Sequence, residues 1–234
     1  MGVHRDPNDV PQQFDDTVIR HGRRPDKGWI ASDVAERLPG LELVHLRSPV
    51  TVTTRSPEWA KQRLRHLSTS VRGIDLLRTN NSEAPAAYRE LFRSVGRNPD
   101  DDRPPMEEAY FERLLRGGFQ HIGIPADALT ITLAETGIPI WAVDAGLISG
   151  ELGIRRSLAG EIPVPRGMDP DITVGHLVVA DDHGIVAELC REPRSLRAIG
   201  RETTDVVLYS IKPRAVTQMR IDEAFWMCTS MLEP

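Results

Sequence analysis

Two arginine-rich windows are the residues best suited to chemistry in this sequence. Arg55, Lys61, Arg63, Arg65, Arg72 and Arg78 face only Glu58 and Asp75 between positions 55 and 78, and Arg191, Arg194, Arg197 and Arg201 follow later with Glu192 among them. Guanidinium groups at this density suit phosphate oxygens, which fix position on a nucleic acid without reading its bases. A solvated helix face and loop is the plainer reading of either window taken alone. Trp141, in the run GIPIWAVD, either fills a core or walls a cleft by stacking on a base or an apolar side chain. His176 lies near Asp181–His183, but DDHG also reads as a hairpin turn, so no metal site is expected. The acidic triplet Asp100–Asp102 reads as a solvated turn. None of the seven histidines carries a local signature of a general base. GxSxG, GxGxxG and Walker patterns are absent, which argues against a triad nucleophile and against a phosphate-cradling loop.

The elements that must position these residues follow from periodicity and punctuation. Residues 1–30 read as a polar arm interrupted by Pro7, Pro11 and Pro25. A short helix is expected from a Ser32 cap to Leu38, ended by Pro39-Gly40. Leu41–Val52 alternates as a half-buried strand does. Helices are expected over 57–69 and 85–95, the latter burying Tyr88, Leu91, Phe92 and Val95 and stopping at Gly96. Another starts near Pro105, with acids in its first turn and arginines in its last, and ends at Gly117-Gly118. A helix over 128–135 and a turn at Gly137 come next. Strands are then expected at 140–143, 152–155, 176–180, 184–189 and 205–211, and a terminal helix from Thr217 turns Ile221, Phe225, Cys228 and Leu232 inward. Helices early and mostly antiparallel strands later make the fold class α+β, in a single domain.

Length and charge bound the function. The chain has 234 residues, 40% of them hydrophobic, enough for a sizeable core. Its net charge of −5 and pI near 5.8 argue against coating a nucleic acid with bulk positive charge, though a local basic rim remains compatible. The two cysteines, Cys190 and Cys228, have no CxxC spacing and read as free thiols in a reducing cytoplasm. No targeting or membrane-spanning run is visible, and a cytoplasmic location is expected.

Two stretches carry a family resemblance. In YRELFRSVGRNPDDDRPPMEEAYFERLL, the order Gly96, Pro99, Arg103-Pro104, Glu108-Ala109, Arg113 is similar to a helix–Gly–Pro–Arg-Pro–helix pattern. In DALTITLAETGIPIWAVDAGLISGELGIRRSLAGE, an aspartate-led helix, a glycine–x–proline turn, an aspartate and an arginine followed six residues on by glutamate place Asp127, Gly137, Pro139, Asp144, Arg155 and Glu161. HLVVADDHGIVAELC and RETTDVVLYS add Asp181 and Thr203. Together they resemble the tRNA-editing domain of the bacterial phenylalanyl-tRNA synthetase beta subunit, and more closely the free-standing proteins that carry this domain alone. The resemblance spans roughly residues 31–211, leaves 212–234 as a C-terminal helix, and implies two subdomains that flank a cleft.

That resemblance implies a protein that binds the aminoacylated 3′ end of a tRNA and hydrolyses its ester without a protein nucleophile or a cofactor. Thr130 and Glu192 are the implied catalytic residues, orienting water or the ester. Asp127, Leu129, Pro139, Trp141, Asp144, Arg155 and Glu161 are the implied substrate-binding set, with Arg103, Arg191 and Arg194 on phosphates. The family carries Thr-Asn where this chain has Leu129-Thr130, and His where it has Trp141, so the pocket should be smaller and more apolar and tyrosine discrimination is not carried over. Two rival expectations stand beside hydrolysis: a non-hydrolytic aminoacyl-tRNA binding module, and an enzyme acting on a small amino-acid-derived metabolite.

Overall fold

A computed structural model of the chain describes residues 24–70, 83–161 and 173–232. The expected arm up to residue 23 lies outside these, as do Arg72, Asp75 and Arg78. Punctuation residues set most boundaries. Pro105 opens the helix Pro105–Arg116, where its missing N–H costs nothing, and Gly117 closes it at φ 76°, donating to the Arg113 carbonyl. Gly137 closes Ala126–Thr136 in the same left-handed conformation. Asp181 pairs with Gly184 across the DDHG turn, which is a hairpin.

In chain order the elements are β1 (Asp26–Lys27), β2 (Trp29–Ile30), α1 (Ser32–Arg37), β3 (Glu42–Pro49), α2 (Glu58–Ser70), α3 (Glu83–Ser94), α4 (Pro105–Arg116), α5 (Ala126–Thr136), β4 (Trp141–Asp144), β5 (Gly153–Arg156), β6 (Leu177–Asp181), β7 (Gly184–Glu188), β8 (Asp205–Lys212) and α6 (Gln218–Thr229). The fold class is α+β, as expected. One sheet has the order β1-β3-β8-β4 and is antiparallel throughout; the other runs β2-β5-β6-β7, with β2 parallel to β5. Ser32 is not the cap of α1. Ala31 holds that position because its N–H, just after β2, is tied to the Ile154 carbonyl of β5, so the helix starts one residue earlier, at Ser32 itself.

The two short strands β1 and β2 feed different sheets, and Gly28 sits between them. Its N–H donates to the Leu43 carbonyl at 2.9 Å, and the next N–H, of Trp29, reaches the Leu152 carbonyl at 3.2 Å. A Cβ on Gly28 would lie 2.2 Å from that Leu152 oxygen, so only glycine fits where the sheets meet.

One apolar core joins both sheets to the helices, from Leu43, Leu208 and Ile211 on the first sheet to Ile154, Val179 and Val186 on the second. Helix α6 belongs to it, burying Ile221, Phe225 and Cys228. The first basic window is largely paired off within the fold. Arg63 makes two 2.6 Å hydrogen bonds to Glu135 on α5, while Lys61 and Arg65 lie 3.6 and 3.8 Å from Glu58. Among the described residues no helix is long and apolar enough to cross a membrane.

Candidate functional site

The site is built where the β4 edge of the first sheet meets the chain leaving β7 of the second. Antiparallel pairing sets Trp141 directly opposite Tyr209, and their rings stack with centroids 5.6 Å apart and planes 23° apart. Such a pair contributes about 0.5–1.5 kcal/mol beyond its area burial. Trp141 is only 5% exposed, so its ring is core and offers no open face to a base. What it presents is its indole N–H, within hydrogen-bonding range of the Glu192 carboxylate.

Glu192 reaches this place through a reversal after β7. The Arg191 N–H bonds back to the Glu188 carbonyl at 3.0 Å, and Ala187 bridges to Pro193. Cys190 lies inside the turn at φ 58°, the one non-glycine residue with positive φ among those described. A side chain there costs about 1–3 kcal/mol, a strain held in place by complete burial of the cysteine. The turn sends the two residues that follow to different places. Arg191 goes to Asp102, Glu192 to Trp141.

Glu192 is solvent-accessible, yet protein crowds it on several sides. Desolvation raises its pKa above the ordinary glutamate value; the Trp141 N–H pulls it down, and Glu112 on α4 pushes it up further. Tyr209 lies within electrostatic range of the same carboxylate. Its hydroxyl is buried and has no hydrogen-bond partner among the described residues. Burial also pushes the Cys190 and Cys228 thiols up to about 12, so neither supplies a thiolate nucleophile near neutral pH.

The other residues expected at the site are held by the fold. Asp127 is 1% exposed and accepts the Ile122 and Gly123 N–H groups at 2.8 and 3.2 Å, ordering the entry to α5. Asp144 accepts from the Gly146 N–H at 2.8 Å and from the Thr203 hydroxyl. Arg155 grips Glu161 with both terminal nitrogens, and Glu161 also accepts the Leu158 N–H. That arginine is the first cause holding the Glu161 pKa below its ordinary value. The Pro139 carbonyl accepts from the Ser210 hydroxyl at 2.7 Å, and the Thr130 hydroxyl bonds the Ala126 carbonyl of its own helix at 3.0 Å. Leu129 packs half-buried against the core.

The three expected phosphate contacts are dispersed. Arg103 lies over the Phe111 ring at 4.0 Å and 3.6 Å from Glu108; Arg191 pairs with Asp102; Arg194 lines a hollow with Glu161, His183 and Arg197. Sequence reasoning missed Tyr209 and Cys190. Both sit in apolar runs that read as core, and only the strand register and the turn bring them to Trp141 and Glu192.

An unpartnered buried hydroxyl destabilises a fold by about 1–3 kcal/mol. Tyr209→Phe is therefore expected to raise the melting temperature by roughly 2–4 °C, for about 1 kcal/mol gained. A lower melting temperature in a thermal scan would mean that the hydroxyl has a structural partner after all.

No family model matches the chain. Two curated proteins match part of it. The phenylalanine–tRNA ligase beta subunit of Cutibacterium acnes (strain DSM 16379 / KPA171202) is 29% identical over 109 residues, 44% of this chain and 12% of that protein. The beta subunit of Methylococcus capsulatus (strain ATCC 33009 / NCIMB 11132 / Bath) is 31% identical over 98 residues, 42% of this chain and 12% of that protein. The chain is related to these ligase subunits, and the match spans about an eighth of their length.

Proposed function

We propose that this chain is a relative of the editing domain of those subunits, that it binds the aminoacylated 3′ end of a tRNA, and that it hydrolyses the ester there. The domain would span residues 31–211, with 212–234 as an integral C-terminal helix. The observation that carries the reading is Glu192: an accessible carboxylate with a raised pKa, held by the Trp141 N–H beside the Tyr209 hydroxyl. A carboxylate so placed can orient a water and take its proton as the water oxygen bonds to the ester carbonyl carbon. The bond between the carbonyl carbon and the ribose oxygen then breaks, and that oxygen leaves with the ribose and takes up the proton. An ester beside a vicinal hydroxyl needs mainly such orientation and charge stabilisation.

In this reading Trp141 positions Glu192 rather than walling the side chain, and the buried Tyr209 ring backs Trp141. Thr130 and Leu129 line the aminoacyl side of the cleft, while Asp127, Pro139, Asp144, Arg155 and Glu161 support it. Arg103 and Arg194 take terminal phosphates. Purified protein is expected to release amino acid from at least one member of a panel of charged tRNAs, read as acid-precipitable label lost with time. No release across the panel, with salt-sensitive binding retained, would replace hydrolysis by a non-hydrolytic binding module. That second reading is favoured by one observation: most of the expected polar set is already hydrogen-bonded within the fold.

A further inference from the structure

A cleft of about 260 Å³ opens on the other side of the 189–192 segment, between α1, the loop after α3 and the ends of β5, β6 and β7. Its floor is apolar, with Val34, Leu38, Leu177 and Leu189. Around that floor stand Arg37, Arg97, Arg156 and Arg191, against the carboxylates of Asp102 and Glu188. The charges do not balance within it. Asp102 is shared by two guanidinium groups, those of Arg97 and Arg191, and Glu188 lies 3.2 Å from His176. Arg156 is held by Asp33 at 3.1 Å and by the Gly175 carbonyl at 2.8 Å. Arg37 has no ion pair among the described residues.

Arg97 is fixed in place, donating to the Leu189 carbonyl at 2.9 Å and lying 4.2 Å over the Phe92 ring. Desolvation lowers the Arg97 and Arg191 pKa values, and the charge of Arg97 lowers that of Arg191 further. Two positive groups are thus crowded over an apolar floor with one carboxylate between them. A carboxylate or phosphate accepts charge-assisted, bidentate hydrogen bonds from such guanidinium groups.

We propose that this cleft binds a small organic anion, a phosphate or carboxylate head on an apolar body. Arg37 and Arg191 take the head, and Leu38, Leu177 and Leu189 take the body. The volume of about 260 Å³ is just below the usual range of about 300–1,000 Å³ for ligand pockets, which fits a compact metabolite rather than a polynucleotide strand. The site does not include Trp141 or Glu192 and does not depend on ester hydrolysis.

Titration calorimetry on the full chain tests this with phenyl phosphate, inorganic phosphate and benzyl alcohol as probes. Phenyl phosphate is expected to bind at least tenfold more tightly than either of the others. Arg37→Glu and Arg191→Ala are each expected to weaken it at least tenfold, and Arg220→Glu, on α6, to leave it unchanged. Arg37 is exposed, so its variant keeps the test decisive if Arg191→Ala does not fold. Equal binding of phenyl phosphate and inorganic phosphate, or full affinity in Arg37→Glu, overturns the proposal. Displacement of bound phenyl phosphate by uncharged tRNA also overturns it and assigns the cleft to nucleic-acid phosphates.

Discussion

Replacing Glu192 by Gln is expected to slow ester release from charged tRNA at least ~100-fold, in the range of a lost general base. The same change should raise the melting temperature at pH 7 by roughly 1–2 °C. The two effects have one cause. Burial holds the Glu192 carboxyl above the ordinary glutamate range, so the folded protein prefers it neutral. For an acid whose folded pKa is raised, the cost of ionisation is absent below the unfolded pKa of about 4.3. It grows as pH rises to the folded pKa and is complete above it. The group is accessible to solvent, which screens that cost to on the order of 0.5 kcal/mol. Wild type and variant should therefore melt together near pH 4 and separate toward pH 7, with the variant higher. Wild-type ester release should climb over the same interval as the base ionises. A variant that melts lower at pH 7 would show that Glu192 anchors the Trp141 indole, and undiminished release would remove it from the chemistry.

Local elements were legible because their determinants are local. Pro105, Gly117 and Gly137 act within one turn of the backbone they shape, and the Asp181–Gly184 hairpin needs only its own loop. The inward face of α6, Ile221, Phe225 and Cys228, follows from helical spacing alone. The site was legible only as a set of positions, not as an arrangement. Nothing local to Trp141 says that Tyr209 stands opposite it, since strand register is fixed by the whole β8 ladder. Nor does a cysteine announce positive φ, which belongs by default to glycine or asparagine. Charge was misleading for the same reason. Arg63 counts as a free cation along the sequence and is a partner of Glu135 in space.

Gly28→Ala is expected to destabilise the protein by about 3 kcal/mol or more, at the upper end of overpacking. That is a melting temperature lower by roughly 6–12 °C. The methyl would sit 2.2 Å from the Leu152 carbonyl oxygen, just ahead of β5, and 2.8 Å from Leu43 Cδ2 on β3. Backbone movement cannot relieve the clash cheaply. The residue is tied to Leu43 through its own N–H and to Leu152 and Ile154 through those of Trp29 and Ala31. Shifting it would lift Trp29 from Gly153, where the ring lies so close that a Cβ would meet it at 2.0 Å. Function should fall with stability, because Trp141 and Tyr209 stand on one sheet and Glu192 follows the last strand of the other. Gly28 helps to set the distance between them. Gly96→Ala is the control: φ is +82° there and nothing lies within 4 Å of a built Cβ, so only the left-handed backbone is penalised, by about 1–2 kcal/mol. Should Gly28→Ala melt no lower than Gly96→Ala, the two sheets are not locked at that residue, and the geometry of Glu192 against Trp141 must be set elsewhere.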